Sequence, residues 1–235
     1  MTEHVYGGDA YAQSCDAVVT AAGAGGVELD RTVFYPRGGG QPGDTGRLTW
    51  SGGEAEIVDA IKGEEAGSVI HVLAEGATPP PQGEPLTATL DWDRRYRLMR
   101  MHTCLHLLSA VLDYPVTGGQ VGDGKGRLDF DIPEATLDKE EITAKLNELV
   151  EADHGVEEEW ISDEELAAKP DLVKTMSVKP PVGAGRVRLL RIGGDVDLQP
   201  CGGTHVRRTG EIGAVRVRKI EKKGRQNRRV SIELV

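Results

Sequence analysis

The chain predicts an α+β fold, with a small N-terminal β-barrel over residues 1–90 and an α+β domain over residues 91–235. Three observations support this. Between Gln13 and Leu90, short apolar segments alternate with glycine- and proline-rich turns and show no helical period, the pattern of a small barrel or sandwich. At Asp91 the pattern changes to a long helical one, with apolar residues spaced three and four apart. Beyond it, two further helical patterns are mixed with alternating, antiparallel-type strands.

The first domain's strands are Ala17 to Thr20, Val27 to Phe34, Ala55 to Ile61, Ser68 to Leu73 and Leu86 to Leu90. Gly23, Gly25 and Gly26, then Gly52-Gly53, then Pro79-Pro80-Pro81 punctuate them. His71, between Ile70 and Val72, reads as structural or exposed rather than catalytic. Phe34 to Gly46 holds three consecutive glycines before Gln41, and glycine permits positive φ and close backbone approach. This segment lacks the Gly-Lys-Ser/Thr ending of a phosphate-binding Walker loop, so on spacing alone it is a loop between strands.

Arg94 to Leu112 reads as a helix, opened by Asp91 or Asp93 and stopped at Asp113-Tyr-Pro115. Leu98, Met101, Leu105, Leu108 and Leu112 form its buried stripe, with His102, His106 and Ser109 on the neighbouring one. Arg94, Arg95, Arg97 and Arg100 make a basic cluster over its first turns. Arg127 to Ile132 follows as a strand with Leu128, Phe130 and Ile132 on one face. Thr136 caps a helix running to about Asp153, and Ser162 with Glu165 forms a capping box for a short one. Pro170 and Pro180-Pro181 mark loops. Arg186 to Ile192, Ile212 to Ile220 and Arg228 to Leu234 complete the strands, the last two joined around Gly224.

Composition narrows the function classes. Hydrophobic content is 38% and aromatic content 4%, so the cores are aliphatic. No apolar run reaches the roughly 18–20 residues of a membrane span, and no leader pattern opens the chain. Three widely spaced cysteines argue against a disulfide framework, and together these features predict a cytoplasmic protein with no membrane association. The net charge of −10 is unevenly spread. Glu134 to Asp171 holds 14 acidic residues against three lysines, whereas Val206 to Arg229 holds ten Lys/Arg against Glu211 and Glu221. That basic strip suits a phosphate backbone, and equally a solvated, strand-rich surface.

The chemistry lies in two short motifs, His102-Thr-Cys-Leu-His106 and Cys201-Gly-Gly-Thr-His205. Each puts two metal ligands four positions apart, on one face wherever the segment is helical. Together they supply the His₃Cys set that Zn²⁺ accepts in tetrahedral geometry, assembled by tertiary folding rather than as a local finger. Cys104 lies two positions from each histidine and faces away, so it is excluded as a ligand. A zinc with an exchangeable position polarises an ester carbonyl or lowers the pKa of bound water to roughly 7. A closed four-ligand site is structural, and both forms are open here. With no Gly-x-Ser-x-Gly elbow and no His-Glu-x-x-His helix, hydrolysis would depend on zinc rather than on a side-chain nucleophile.

These two motifs, with Gly38-Gly-Gly-Gln-Pro-Gly-Asp-Thr-Gly46, resemble the editing region of alanyl-tRNA synthetase and its free-standing relatives, the AlaX trans-editing proteins. The similarity runs from about Leu29 to Val235 in the family's motif order, and the length matches the medium AlaX form. It implies a zinc-dependent, ATP-independent hydrolase that cleaves the ester of mischarged tRNA(Ala), typically Ser-tRNA(Ala) and in some members Gly-tRNA(Ala). By position, His102, His106, Cys201 and His205 become the zinc residues, and the acceptor end of tRNA(Ala) becomes the partner, with no obligate protein partner. Gln120 matches a position near the amino-acid pocket, and Gly39, Gly40 and Gln41 match the motif associated with serine discrimination. A site that hydrogen-bonds the serine hydroxyl rejects alanine because its polar groups would be left unpaired. Thr103 and Thr204 are candidate hydroxyl partners. The acidic run Glu157-Glu158-Glu159 is no part of the motif set. A non-catalytic zinc-containing tRNA-binding module would share the same ligands and strip. A small-molecule metallohydrolase is a third reading and would need no tRNA.

Overall fold

The computed structural model describes residues 2–23, 25–133, 136–175 and 185–235. The chain divides into two compact units, Met1–Arg97 and Leu98–Val235. Together they make an α+β protein.

The first unit opens with β1 (Glu3–His4) and the single-turn α1 (Val5–Gly8). It continues through β2 (Ser14–Gly23), β3 (Gly26–Leu29), β4 (Arg31–Thr32), β5 (Gly46–Trp50), β6 (Gly53–Lys62), β7 (Val69–Leu73) and β8 (Pro85–Leu90). Six of these close a barrel in the order β2-β3-β7-β6-β5-β8, and β8 pairs back with β2. Closure leaves no sheet edge within the barrel. The short β1 and β4 pair in parallel outside it. β8 shows how the sequence builds the wall: Leu86, Ala88 and Leu90 point inward, while Pro85, Thr87 and Thr89 alternate outward. The buried hydrophobic residues of the interior are mostly aliphatic, with Val19, Val27, Leu29, Leu48, Ile57 and Val69 among them beside Phe34. Strand β5 was not foreseen, because it begins at the last glycine of the loop motif and has polar residues at alternate positions.

The glycine-rich segment is more than a connector. Gly38 and Gln41 exchange backbone hydrogen bonds of 3.1 and 2.9 Å across Gly39 (φ 57°) and Gly40 (φ 83°). Two successive positive φ values make a two-residue turn of the I′ kind, which glycine forms without strain. A Cβ on Gly43 would lie 2.1 Å from the carbonyl oxygen of Ala60, so the backbone there has no room for a side chain. Asp44 accepts from the Tyr35 amide at 2.6 Å and forms an ion pair with Arg95 inside the unit. Arg95 also donates to the carbonyls of Ala10 (2.9 Å) and Val33 (2.7 Å). Arg94 donates to the carbonyl of Gly43 at 2.9 Å. The expected basic cluster over the first turns of the helix is therefore largely structural: Arg95 is fully buried and Arg94 holds the motif's backbone.

His71 is buried and structural. Its Nδ1–H donates to the Val27 carbonyl at 2.9 Å, and the Thr32 hydroxyl lies 2.7 Å from Nε2. Burial pushes its pKa down to about 4 despite the Val27 bond, so the ring is neutral at physiological pH.

Helix α2 (Trp92–Leu112) carries the chain from the first unit into the second. From Leu98 to Ser109 every residue except Arg100 is buried, including Met99, Cys104 and Leu107. The expected single apolar stripe is thus one side of a helix buried all round. Arg100 caps a distant backbone group, donating to the Ile212 carbonyl at 2.9 and 2.6 Å.

The second unit contains β9 (Val116–Val121), β10 (Lys125–Asp131), α3 (Lys139–Glu151), β11 (Val156–Ser162) and α4 (Asp163–Ala167). A 3₁₀ turn at Pro170–Leu172 is followed by β12 (Arg186–Ile192), β13 (Asp197–Pro200), β14 (Val215–Lys222) and β15 (Asn227–Leu234). One sheet has the order β14-β15-β10-β9, the other β11-β12-β13, both antiparallel. Helix α3 is capped by Asp138, whose side chain accepts from the Glu141 amide, and Thr136 lies ahead of it, outside the helix. The Ser162/Glu165 capping box of α4 is present. Along the edge strand β14, the Val215 amide donates to Asn147 Oδ1 (3.0 Å) and the Val217 amide to Thr143 Oγ1 (3.0 Å). Side chains of α3 thereby cover backbone donors that an exposed edge would leave open. The loop expected at Pro180-Pro181 lies outside the described residues.

Candidate metal centre

His102 and His106 project from α2 one turn apart, as their spacing requires. Cys201 and His205 come from the loop after β13, and the four potential ligand atoms lie within 4.8 Å of one another. Cys201 Sγ is 3.6 Å from His102 Nε2 and 3.2 Å from His205 Nε2. Tetrahedral zinc with bonds of about 2.0–2.3 Å sets its donor atoms roughly 3.3–3.7 Å apart, so the donor types fit the ion and the two distances from Cys201 Sγ are close to what it requires.

The far nitrogens of two of these rings are tied down. A carboxylate only accepts, so His106 Nδ1–H must donate to Asp197 Oδ2, 2.8 Å away, which leaves Nε2 for the cluster. His205 Nδ1 lies 3.2 Å from Thr103 Oγ1. The Thr103 hydroxyl donates to the Met99 carbonyl at 3.0 Å and accepts from the Val206 amide at 3.3 Å. Its remaining lone pair can only accept, so Nδ1 of His205 carries the proton and Nε2 again faces inward. Thr103 is thereby saturated and unavailable to a substrate hydroxyl. Thr204 is buried.

The electrostatics favour a cation at Cys201 and His205 and require His106 to give up a proton to one. Burial raises the Cys201 thiol pKa, but the adjacent His102 and His205 outweigh this and hold it well below its ordinary value, favouring thiolate. Burial pushes His205 down to about 3, so it is neutral, as a ligand must be. For His106, burial lowers the pKa, but hydrogen bonds to Asp197 and Cys201 prevail and push it up to about 10, so before metal binds the ring also carries a proton on Nε2, which the ion must displace. Cys104, expected to face away, is fully buried outside the cluster, and burial pushes its thiol up to about 12.

The loop that presents Cys201 and His205 is fastened to β12. Arg188 donates to the Gly203 carbonyl at 2.8 Å, the Cys201 amide donates to the Arg188 carbonyl at 3.1 Å, and Glu158 pairs with Arg188 at 3.1 Å. Glu159 is likewise paired with Arg191. Part of the acidic run is therefore half of a cross-strand charge ladder between β11 and β12, and one of its carboxylates anchors the loop through Arg188. Sequence reading missed Asp197, Gln199, Lys174 and Arg188. Only the position of Asp197 and Gln199 just ahead of the Cys-x-x-x-His motif could have drawn attention to them.

Comparison with known proteins agrees with the site's motif order. Residues 187–231 match the model of the threonyl and alanyl tRNA synthetase second additional domain, and residues 8–94 match that of class II (A) tRNA synthetases. The chain is 34% identical over 245 residues to the alanyl-tRNA editing protein AlaX-M of Methanosarcina mazei, covering 100% of this chain and 97% of that protein. It is 34% identical to the AlaX-M protein of Saccharolobus solfataricus, over 98% of each chain. The chain belongs to the AlaX-M family of alanyl-tRNA editing proteins. The chain is also similar to part of a larger enzyme: it is 38% identical to the alanine–tRNA ligase of Pyrobaculum neutrophilum, over 83% of this chain and 22% of that ligase.

The other residues singled out from the sequence are placed as follows. Gln120 is exposed on β9, opposite Arg127 of β10, whose Nε donates to Gln120 Oε1 at 3.3 Å. In the first unit Gly39 and Gly40 form an exposed turn tip, and Gln41 is buried beside it.

Proposed function

We propose that this chain is a zinc-dependent aminoacyl-tRNA deacylase that acts in trans on mischarged tRNA(Ala). Ser-tRNA(Ala) is the preferred substrate and Gly-tRNA(Ala) a second one. The observation that carries the reading is the convergence of His102, His106, Cys201 and His205 in a chain of the alanyl-tRNA editing family. These four residues would hold the ion, which supplies Lewis acidity toward the ester and toward water. Asp197 and Thr103 keep Nδ1 of His106 and His205 protonated and so present Nε2. Burial of the three histidines limits competing water at the cluster.

On this reading the first unit is a barrel domain that carries the glycine-rich motif, and the second is the editing domain, which works in the cytoplasm without ATP. Gln120, and separately the Gly39-Gly40-Gln41 turn, contribute to amino-acid recognition. The acceptor end of tRNA(Ala) is met by the basic strip that follows His205. Much of that strip is internally neutralised: Arg208 pairs with Asp153, Lys219 and Lys223 with Glu221, and Arg229 with Asp129. Among the described residues, Arg218, Lys222 and Arg225 are exposed and have no carboxylate partner, which leaves them for phosphates.

Four converging protein donors are also what a closed, structural zinc site presents, and that favours a second reading as a non-catalytic tRNA-binding module. Purified protein incubated with Ser-tRNA(Ala), Gly-tRNA(Ala) and Ala-tRNA(Ala) separates the two. Deacylation of the seryl ester well above its spontaneous rate, with the alanyl ester spared, supports the enzyme. Spontaneous-rate loss of all three, with tRNA still bound, supports the module.

A further inference from the structure

One carboxylate near the cluster is buried, held on every side and outside the ligand set. Asp197 sits at the start of β13, and its side chain has no exposed surface. Oδ2 is 2.8 Å from His106 Nδ1. Gln199 Nε2 donates to both carboxylate oxygens, at 2.8 and 2.9 Å, and to Ser109 Oγ at 3.0 Å. Lys174 Nζ stands 3.5 Å from Oδ1 and also 3.5 Å from Asp113. A buried carboxylate is costly unless paired, and here the pairing is divided between a lysine on one side and an imidazole on the other. Gln199 fixes the rotation of the carboxyl group, and Ser109, one turn beyond His106 on α2, ties Gln199 back to the same helix.

We propose that Asp197 is a positioning residue that fixes His106 as an Nε2 ligand, completing a carboxylate–histidine–metal line at this centre. The inference rests on the reading that the cluster holds zinc. The hydrogen bond to a carboxylate sets the tautomer, orients the ring and makes Nε2 a better donor. His106 has a carboxylate on its distal nitrogen, whereas His205 leans on the neutral Thr103 hydroxyl. The two rings should therefore contribute unequally. His106 is the strongly held ligand, and His205 is the one that releases its bond more readily when a position must open.

The test measures zinc affinity rather than turnover. Zinc dissociation constants are determined by competition with a chromophoric chelator for the full chain, Asp197→Asn, Asp197→Ala and Leu190→Ala. Asparagine keeps the shape and one acceptor but removes the charge, so Asp197→Asn remains foldable even if Asp197→Ala is not. Leu190, buried in β12 of the same sheet, controls for general loosening. The proposal expects Asp197→Asn to weaken zinc by about 10–100-fold, with Leu190→Ala within about threefold of the parent. It also expects the visible ligand-field bands of the cobalt-substituted protein to shift in Asp197→Asn only. Zinc affinity in Asp197→Asn within twofold of the parent overturns it, as does an equal loss in Leu190→Ala. A parent chain that binds no zinc overturns the metal reading itself, a result distinguishable from either.

Discussion

Replacing Asp44 by Asn should destabilise the first unit by about 3–5 kcal/mol, the cost of leaving a buried charge without its partner. The structure gives reasons for the upper part of that range. The side chains of Arg95 and Asp44 are 0% and 2% exposed, so no water replaces the lost carboxylate. Arg95's other acceptors, the carbonyls of Ala10 and Val33, are neutral and cannot balance the guanidinium charge. An asparagine amide would also direct its own donors at the donors of Arg95 or the Tyr35 amide. Urea unfolding followed by far-ultraviolet circular dichroism measures the effect. With a slope of about 2 kcal/mol per molar, the midpoint should fall by roughly 2 M. The double variant Asp44→Leu/Arg95→Met removes both charges and should recover most of the loss. A drop below about 1 kcal/mol in Asp44→Asn, or a double variant no more stable than the single, would refute the view that the motif's aspartate acts as an internal tie.

Three further outcomes follow from the same physical reading. His71 has a folded pKa of about 4 against an ordinary 6.5, so the unfolded chain binds its proton first. Its contribution to stability is complete above about pH 6.5, is lost as pH falls toward 4, and amounts to about 3 kcal/mol. His71→Gln should lose that part of the pH slope in urea titrations. Changing Arg218, Lys222 and Arg225 together to Gln should reduce the slope of log affinity for tRNA against log salt by about 2–3 while zinc content stays unchanged. Cys104→Ala should keep the bound zinc, whereas Cys201→Ala should lose it, as metal analysis of the purified variants would show.

What could be read from the sequence was local. The ligand pairs are visible because helix geometry turns a four-residue spacing into one face, and most barrel strands are visible because apolar positions alternate between glycine turns. The Ser162/Glu165 box is likewise a three-residue relation. The features that went unread are those in which the partner is distant. Glu158 and Glu159 looked like a solvated charge run, and only the register with β12 shows that Arg188 and Arg191 make them a strand. Asp44 and Arg95 are 51 positions apart, one read as part of a loop motif and the other as part of a basic cluster. Asp197 lies in a four-residue strand too short to announce itself, yet it reaches His106 from 91 positions away. Thr136 and Asp138 both suit a helix start, and the choice fell to Asp138, whose side chain meets the Glu141 amide.

The most direct measurement is deacylation of Ser-tRNA(Ala) by protein stripped of metal with a chelator and then titrated with zinc. Activity should be absent in the stripped protein and return in proportion to zinc, reaching its plateau at one equivalent per chain. Full activity in the stripped protein, or a zinc-loaded chain that leaves the seryl ester at its spontaneous rate, would contradict the account.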